Sequence, residues 1–188
     1  MGRIALGIIF GLLLAPAVLL AWLRWGRPPV AVNDAPLPME RWITHIPLHT
    51  RIAREMEAIP PIQPDEKNLI EGARVYRDQC AACHGVHGKR PGFAAHMYPD
   101  APPLWEKHED SAVVGVSDDP PGETYWKVAN GIRLTGMPAY RETLSETQIW
   151  QVSLLLANAD KPLPPAAVQY VRGETPAPAA SPAVTTKK

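Results

Sequence analysis

Cys80-Ala81-Ala82-Cys83-His84 sets two thiols three residues apart and an imidazole directly after the second. That spacing suits covalent attachment of a haem: each thiol adds across one porphyrin vinyl group, and His84 is carried beneath the ring as an iron ligand. A Cys-x-x-Cys pair also occurs in redox dithiols and as half of a zinc site. Zinc normally wants four ligands, and the chain's 2 cysteines are both in this motif. A thioredoxin-like dithiol belongs beside alternating strands and helices, a pattern the surrounding sequence lacks. One haem c, held through Cys80 and Cys83, is the expected cofactor.

The elements that must position this motif occupy only part of the 188 residues. An apolar N-terminus, a proline-rich connector and a low-complexity tail leave residues 65–172 as the foldable domain. So short a segment buries limited apolar area by itself, so a buried porphyrin is expected to supply much of the core. The apoprotein is then expected to be poorly folded.

Ile4 to Leu23 is an uncharged run of 20 residues between Arg3 and Arg24. As a helix it is about 30 Å long, the hydrocarbon thickness of a bilayer. Ala15-Pro16-Ala17 imitates a signal-peptidase site, but the apolar run continues past it and exceeds the usual signal core of about 7–15 residues. Residues 1–23 therefore read as an uncleaved transmembrane anchor, with an uncleaved signal as the alternative label. Positive residues flank both ends, so charge leaves the orientation open. Haem c attachment takes place outside the cytoplasmic membrane in bacteria, which places the haem domain on the periplasmic or extracytoplasmic side.

Residues 24–64 carry eight prolines and read as a tether. A short helix at 49–58 within it would place Ile52, Met56 and Ile59 together for packing. The domain's first helix begins near Asp65, a capping residue, and runs through Leu69, Gly72 and Tyr76 toward the cysteines. Gly72 costs helix stability, so a close helix crossing is expected there. Ser145 and Gln148 form a capping box for an apolar helix reaching Asn158, and a middle helix at 123–130 stops at Gly131.

With these helices placed, the segment from about Asp65 to Lys161 resembles class I cytochrome c domains of bacteria. The resemblance implies an all-α fold of three to five helices around one covalent haem, here preceded by a single N-terminal transmembrane helix. Gly72, Tyr76 and Trp150 are similar to the family's crossing between its first and last helices. The stretch Gly131 to Tyr140 resembles the loop carrying the distal methionine, which makes Met137 the expected sixth iron ligand opposite His84. Gly136 would allow close backbone approach, and Pro138 disfavours helix at Met137. Other available ligands are His45, His49, His87, His96, His108 and Met97, none in comparable surroundings. Pro102-Pro103-Leu104 looks like the family's Pro-x-Leu loop, which implies that the Pro102 carbonyl accepts a hydrogen bond from His84 Nδ1. Tyr125, Trp126, Arg133 and Tyr140 are available to the porphyrin edge, without individual assignment.

Histidine and methionine together would leave no open coordination position, which favours one-electron transfer over substrate chemistry. The expected function is a membrane-anchored, monohaem electron carrier between respiratory partners, not an enzyme. The alternative is a haem-c subunit fixed in a larger oxidoreductase or oxidase complex; a small peroxidase or gas-binding haem is less favoured. Residues 65–172 hold 11 basic against 14 acidic residues, densest at Glu106, Glu109, Asp110, Asp118 and Asp119. This region would steer a basic partner, or is simply a solvated loop. Residues 173–188 read as a disordered tail, and no feature suggests nucleic-acid binding.

Overall fold

Helix caps written into the sequence set the frame of the haem-motif region. In the computed structural model, which describes residues 2–108 and 111–175, Asp65 accepts the Asn68 N–H at 2.8 Å and opens a helix at Glu66–Val75. Glu109, Asp110 and the tail from residue 176 lie outside the described residues. The chain forms two compact units, Met1–Ile43 and Thr44–Lys188. The described elements are helical, and no strand occurs among the described residues.

In the first unit, α1 (Gly2–Trp25) runs through Pro16 without a buried residue. Its mean hydropathy reaches 2.7 over an 18-residue window, and at about 1.5 Å per residue its length suffices to cross a bilayer. A second helix, α2 (Glu40–Glu55), begins in this unit and continues in the next. It starts nine residues before the 49–58 expected from sequence. The Leu37 N–H donates to Glu40 Oε2 at 2.8 Å, which anchors the earlier start, and the helix tolerates Pro47 inside it. It stops at Glu55, short of residue 58, and the chain then passes over Gly122. A Cβ at Gly122 would collide with the Glu57 carbonyl oxygen.

The C-terminal half of α2 packs within the second unit. Ile52 is buried, and Glu55 accepts from Arg51 Nε at 2.8 Å and from Trp126 Nε1 at 2.9 Å. The Arg51 guanidinium lies over the Trp126 ring, 5.7 Å from its centroid, a favourable cation–π arrangement.

The second unit is built around the crossing of α3 (Glu66–Val75) and α6 (Glu146–Leu156). Ser145 and Gln148 close the α6 capping box reciprocally. Gly72 permits the crossing, since a Cβ there would run into the Gln151 carbonyl oxygen of α6. Gln151 Nε2 also donates to Asn68 Oδ1 at 3.0 Å. Helix α5 (Pro121–Asn130) presents Tyr125 to Trp150, their rings stacked at 4.2 Å and 20°. It begins two residues earlier than expected because Pro121 occupies its first turn, where no N–H is needed. The same rule starts α7 at Pro165 (Pro165–Val171), a helix the sequence reading did not foresee. Ala167 and Val171 of α7 enter the core with Tyr76, Trp105, Trp150 and Leu155.

Candidate functional site

The two cysteines lie where the first helix changes its winding. Helix α3 passes into a π-helical turn at Tyr76–Cys80, where the Ala81 N–H reaches back to the Tyr76 carbonyl. A short helix, α4 (Ala81–His84), follows. Such π turns widen a helix by one residue and are frequent at functional positions. Periodicity over so few residues does not announce one, and it was not foreseen.

Cys80 and Cys83 are free thiols. Burial, and next the nearby Cys83, push the Cys80 thiol up to about 12, so it is held protonated. Burial lowers the His84 pKa, opposed in part by a hydrogen bond to Pro102. The Pro102 carbonyl oxygen lies 2.8 Å from His84 Nδ1. A carbonyl only accepts, so Nδ1 carries the proton and Nε2 keeps a free lone pair.

Behind this pair, the Tyr76 hydroxyl donates to the Gly85 carbonyl at 2.7 Å. Burial, followed by the Cys80 thiol, raises the Tyr76 pKa and keeps it a donor. Gly85 adopts φ 79°, and a Cβ there would stand 2.6 Å from the Lys89 carbonyl oxygen. The Tyr76 ring meets Trp105 edge to face at 5.4 Å, and Trp105 directly follows the Pro102-Pro103-Leu104 loop. One side of the motif is thereby braced from α3 through to the segment that carries Pro102.

The methionine loop is held by a separate set of bonds. Gly131 ends α5 at φ 65° with its N–H on the Lys127 carbonyl at 2.9 Å. Thr135 Oγ1 donates to the Ile132 carbonyl at 2.7 Å and accepts the Met137 N–H at 3.0 Å. The Ile132 N–H returns to the Met137 carbonyl at 3.3 Å. Met137 is half-buried, packed against the same core as Cys80 and Tyr140. Leu134, at φ 65°, is a strained turn residue exposed to 84%. Tyr140 then donates to the Gln79 carbonyl at 2.9 Å, joining the loop to the π turn ahead of Cys80. Burial, then Cys80 and Cys83, raise the Tyr140 pKa.

The other histidines have their own partners or are exposed, whereas Met97 lies beside the Met137 loop. His108 Nε2 lies 2.7 Å from the Gly115 carbonyl oxygen, and His87 and His96 are exposed. His45 and His49 meet edge to face on α2 at 5.5 Å. Met97 is half-buried, and its Cε lies 2.6 Å from where a Gly136 Cβ would be. In the acidic region, Asp119 and Glu123 both pair with Lys127, at 3.1 and 2.7 Å, which reduces its net field.

The donor set fits a covalently held haem. Two free thiols sit one helical turn apart, an imidazole offers Nε2, and a thioether stands on a glycine-bounded loop. Two buried indole N–H groups, of Trp105 and Trp150, have no partner among the described residues, a demand that a group bearing acceptor oxygens would meet.

An all-α domain in which a Cys-x-x-Cys-His turn follows a helix crossed at Gly72 by the apolar helix α6 is a class I cytochrome c domain. Residues 67–154 match the family model described as cytochrome c oxidase, cbb3-type, subunit III. The domain class is one that binds haem c and takes part in electron transport. Among solved structures, the chain is similar to one from the Kuenenia stuttgartiensis reducing HAO-like protein complex, at 16% identity and a TM-score of 0.43. That alignment covers 74% of this chain and 54% of the other. No curated protein matches the chain.

Proposed function

We propose that the protein is a membrane-anchored monohaem cytochrome c that passes single electrons between respiratory partners outside the cytoplasmic membrane. The observation that carries this reading is the 2.8 Å contact between His84 Nδ1 and the Pro102 carbonyl beside two free thiols. It orients the imidazole with Nε2 available, as an axial ligand requires. Cys80 and Cys83 would hold the porphyrin, each S–H adding across one vinyl group, and Met137 would supply the second axial ligand. Bound there, haem provides a one-electron couple whose potential a neutral methionine raises relative to a second histidine. The chain's own task is to keep these side chains in one arrangement in both oxidation states. Tyr76, Trp105 and Pro102 brace His84, and Thr135 and Gly131 close the Met137 loop.

Helix α1, long and apolar enough to span a membrane, supports tethering, and the extracytoplasmic assembly of haem c supports a haem domain on the periplasmic side. A second reading, a haem-c subunit fixed in a larger oxidase, is favoured by the description of the matching family. Solubilising native membranes and following the covalent haem through native electrophoresis separates the two. A carrier migrates near its own 20.6 kDa plus detergent, and a subunit migrates with its complex. Either reading fails if Cys80→Ser and Cys83→Ser leave haem staining after denaturation unchanged.

A further inference from the structure

We propose that Tyr140 is a positioning residue for the distal ligand, its hydroxyl bond to the Gln79 carbonyl clasping the Met137 loop onto the cysteine-bearing turn. This rests on the assignment of Met137 as iron ligand. The loop's other hydrogen bonds close it on itself or on α5: Thr135 to Ile132, Met137 to Thr135, and the Tyr140 and Arg141 N–H groups to the Val128 and Ala129 carbonyls at 3.0 and 3.2 Å. These hold the loop's internal shape and its exit from α5. They do not tie it to the segment that fixes the haem.

The Tyr140 bond does, across 61 residues of sequence. Gln79 lies in the π turn and directly precedes Cys80. The loop and the thioether attachment then move together, and Met137 leaves iron only if this bond opens or the loop deforms around it. Tyr140 sits three residues after Met137, and its ring packs on the core, so the hydroxyl and the ring make separable contributions. The ring fills space, whereas the hydroxyl sets how readily the loop swings out.

The test uses the full-length holoprotein in detergent and imidazole as the competing ligand. In oxidised Tyr140→Phe, which keeps the ring, imidazole displaces the methionine about fivefold faster than in wild type, as loss of one net hydrogen bond implies. The methionine-to-iron charge-transfer absorption persists before imidazole is added. Asn158→Ala removes a side-chain bond to the Leu154 carbonyl at the end of α6 and leaves the displacement rate unchanged. Equal displacement rates in Tyr140→Phe and wild type overturn the clasp, as does equal acceleration in Asn158→Ala, which would report general loosening. A wild type without the charge-transfer absorption overturns the Met137 assignment itself.

Discussion

Gly72 of α3 and Gln151 of α6 stand so close that the place of a Gly72 side chain is taken by the Gln151 carbonyl oxygen. The obstacle is backbone inside a buried helix, so it cannot turn aside as a long side chain would. Alanine normally gains about 1 kcal/mol over glycine within a helix, while forced overpacking of a core costs about 1–3 kcal/mol. Backbone collision decides the sign here. Gly72→Ala lowers the melting temperature of the holoprotein by about 5–10 °C, and an unchanged melt would show that the helices separate freely.

Two glycines of the methionine loop separate conformation from contact. Gly131 has φ 65°, and a Cβ there would meet the Ala139 nitrogen and Pro138 carbonyl carbon, both at 2.8 Å. The obstacle beside Gly136 is the mobile end of Met97. Gly131→Ala therefore destabilises the protein by about 1–2 kcal/mol, whereas Gly136→Ala costs about 0.5 kcal/mol or less. Denaturant titration of both variants checks the order.

The docking of α2 is expected to depend on acid. Hydrogen bonding from Arg51, then from Trp126, holds the Glu55 carboxyl below its usual 4.5. A carboxylate with a depressed folded-state pKa contributes stability above its unfolded value, lost as pH falls through the folded value. Protection factors of the amides in residues 48–56, with the intrinsic pH dependence of exchange divided out, should thus be high at neutral pH and fall below about pH 4.5. Glu55→Gln, which cannot ionise, flattens that dependence, and an unaltered profile assigns the acid response to another group.

Loss of the cysteines should expose how far the domain depends on its cofactor. Cys80→Ala with Cys83→Ala leaves the helix caps intact but removes both thiols proposed to attach the haem. The double variant is expected to keep helical circular dichroism with a broadened, lower melt. A sharp transition at the wild-type temperature would show that the polypeptide alone provides the core.

Salt should affect exchange of electrons with a basic partner only modestly. Lys127 neutralises part of the acidic stretch through Asp119 and Glu123, leaving Glu106 and Asp118 as the described acids of that stretch without a salt bridge to it. Stopped-flow rates against a basic redox partner are expected to fall by less than about tenfold between low and physiological salt. A steeper fall would mark the stretch as a dedicated steering surface.

Local chemistry made much of this legible in one dimension. The thiol spacing, the Asp65 and Ser145 caps, Gly131 at a helix end and the apolar run of α1 each depend on residues within a turn or two of each other. Gly72 could be recognised as a close-approach residue because glycine inside a helix has a cost that some contact must offset.

Other features depend on partners far apart in the chain. Tyr140 and Gln79, Glu55 and Trp126, and Tyr76 and Gly85 meet only when particular helix faces pack. The π turn at Tyr76–Cys80 is a one-residue change in winding, too brief to alter a hydrophobic period. Helix α7 was hidden because Pro164-Pro165 reads as an interruption, although proline is well suited to a first helical position. The sequence by itself determined which atoms are available to hold a haem. The tertiary structure decided how the Met137 loop is tied down and what braces the cysteine-bearing turn from behind, because hydrogen bonds between distant segments follow from packing rather than from spacing.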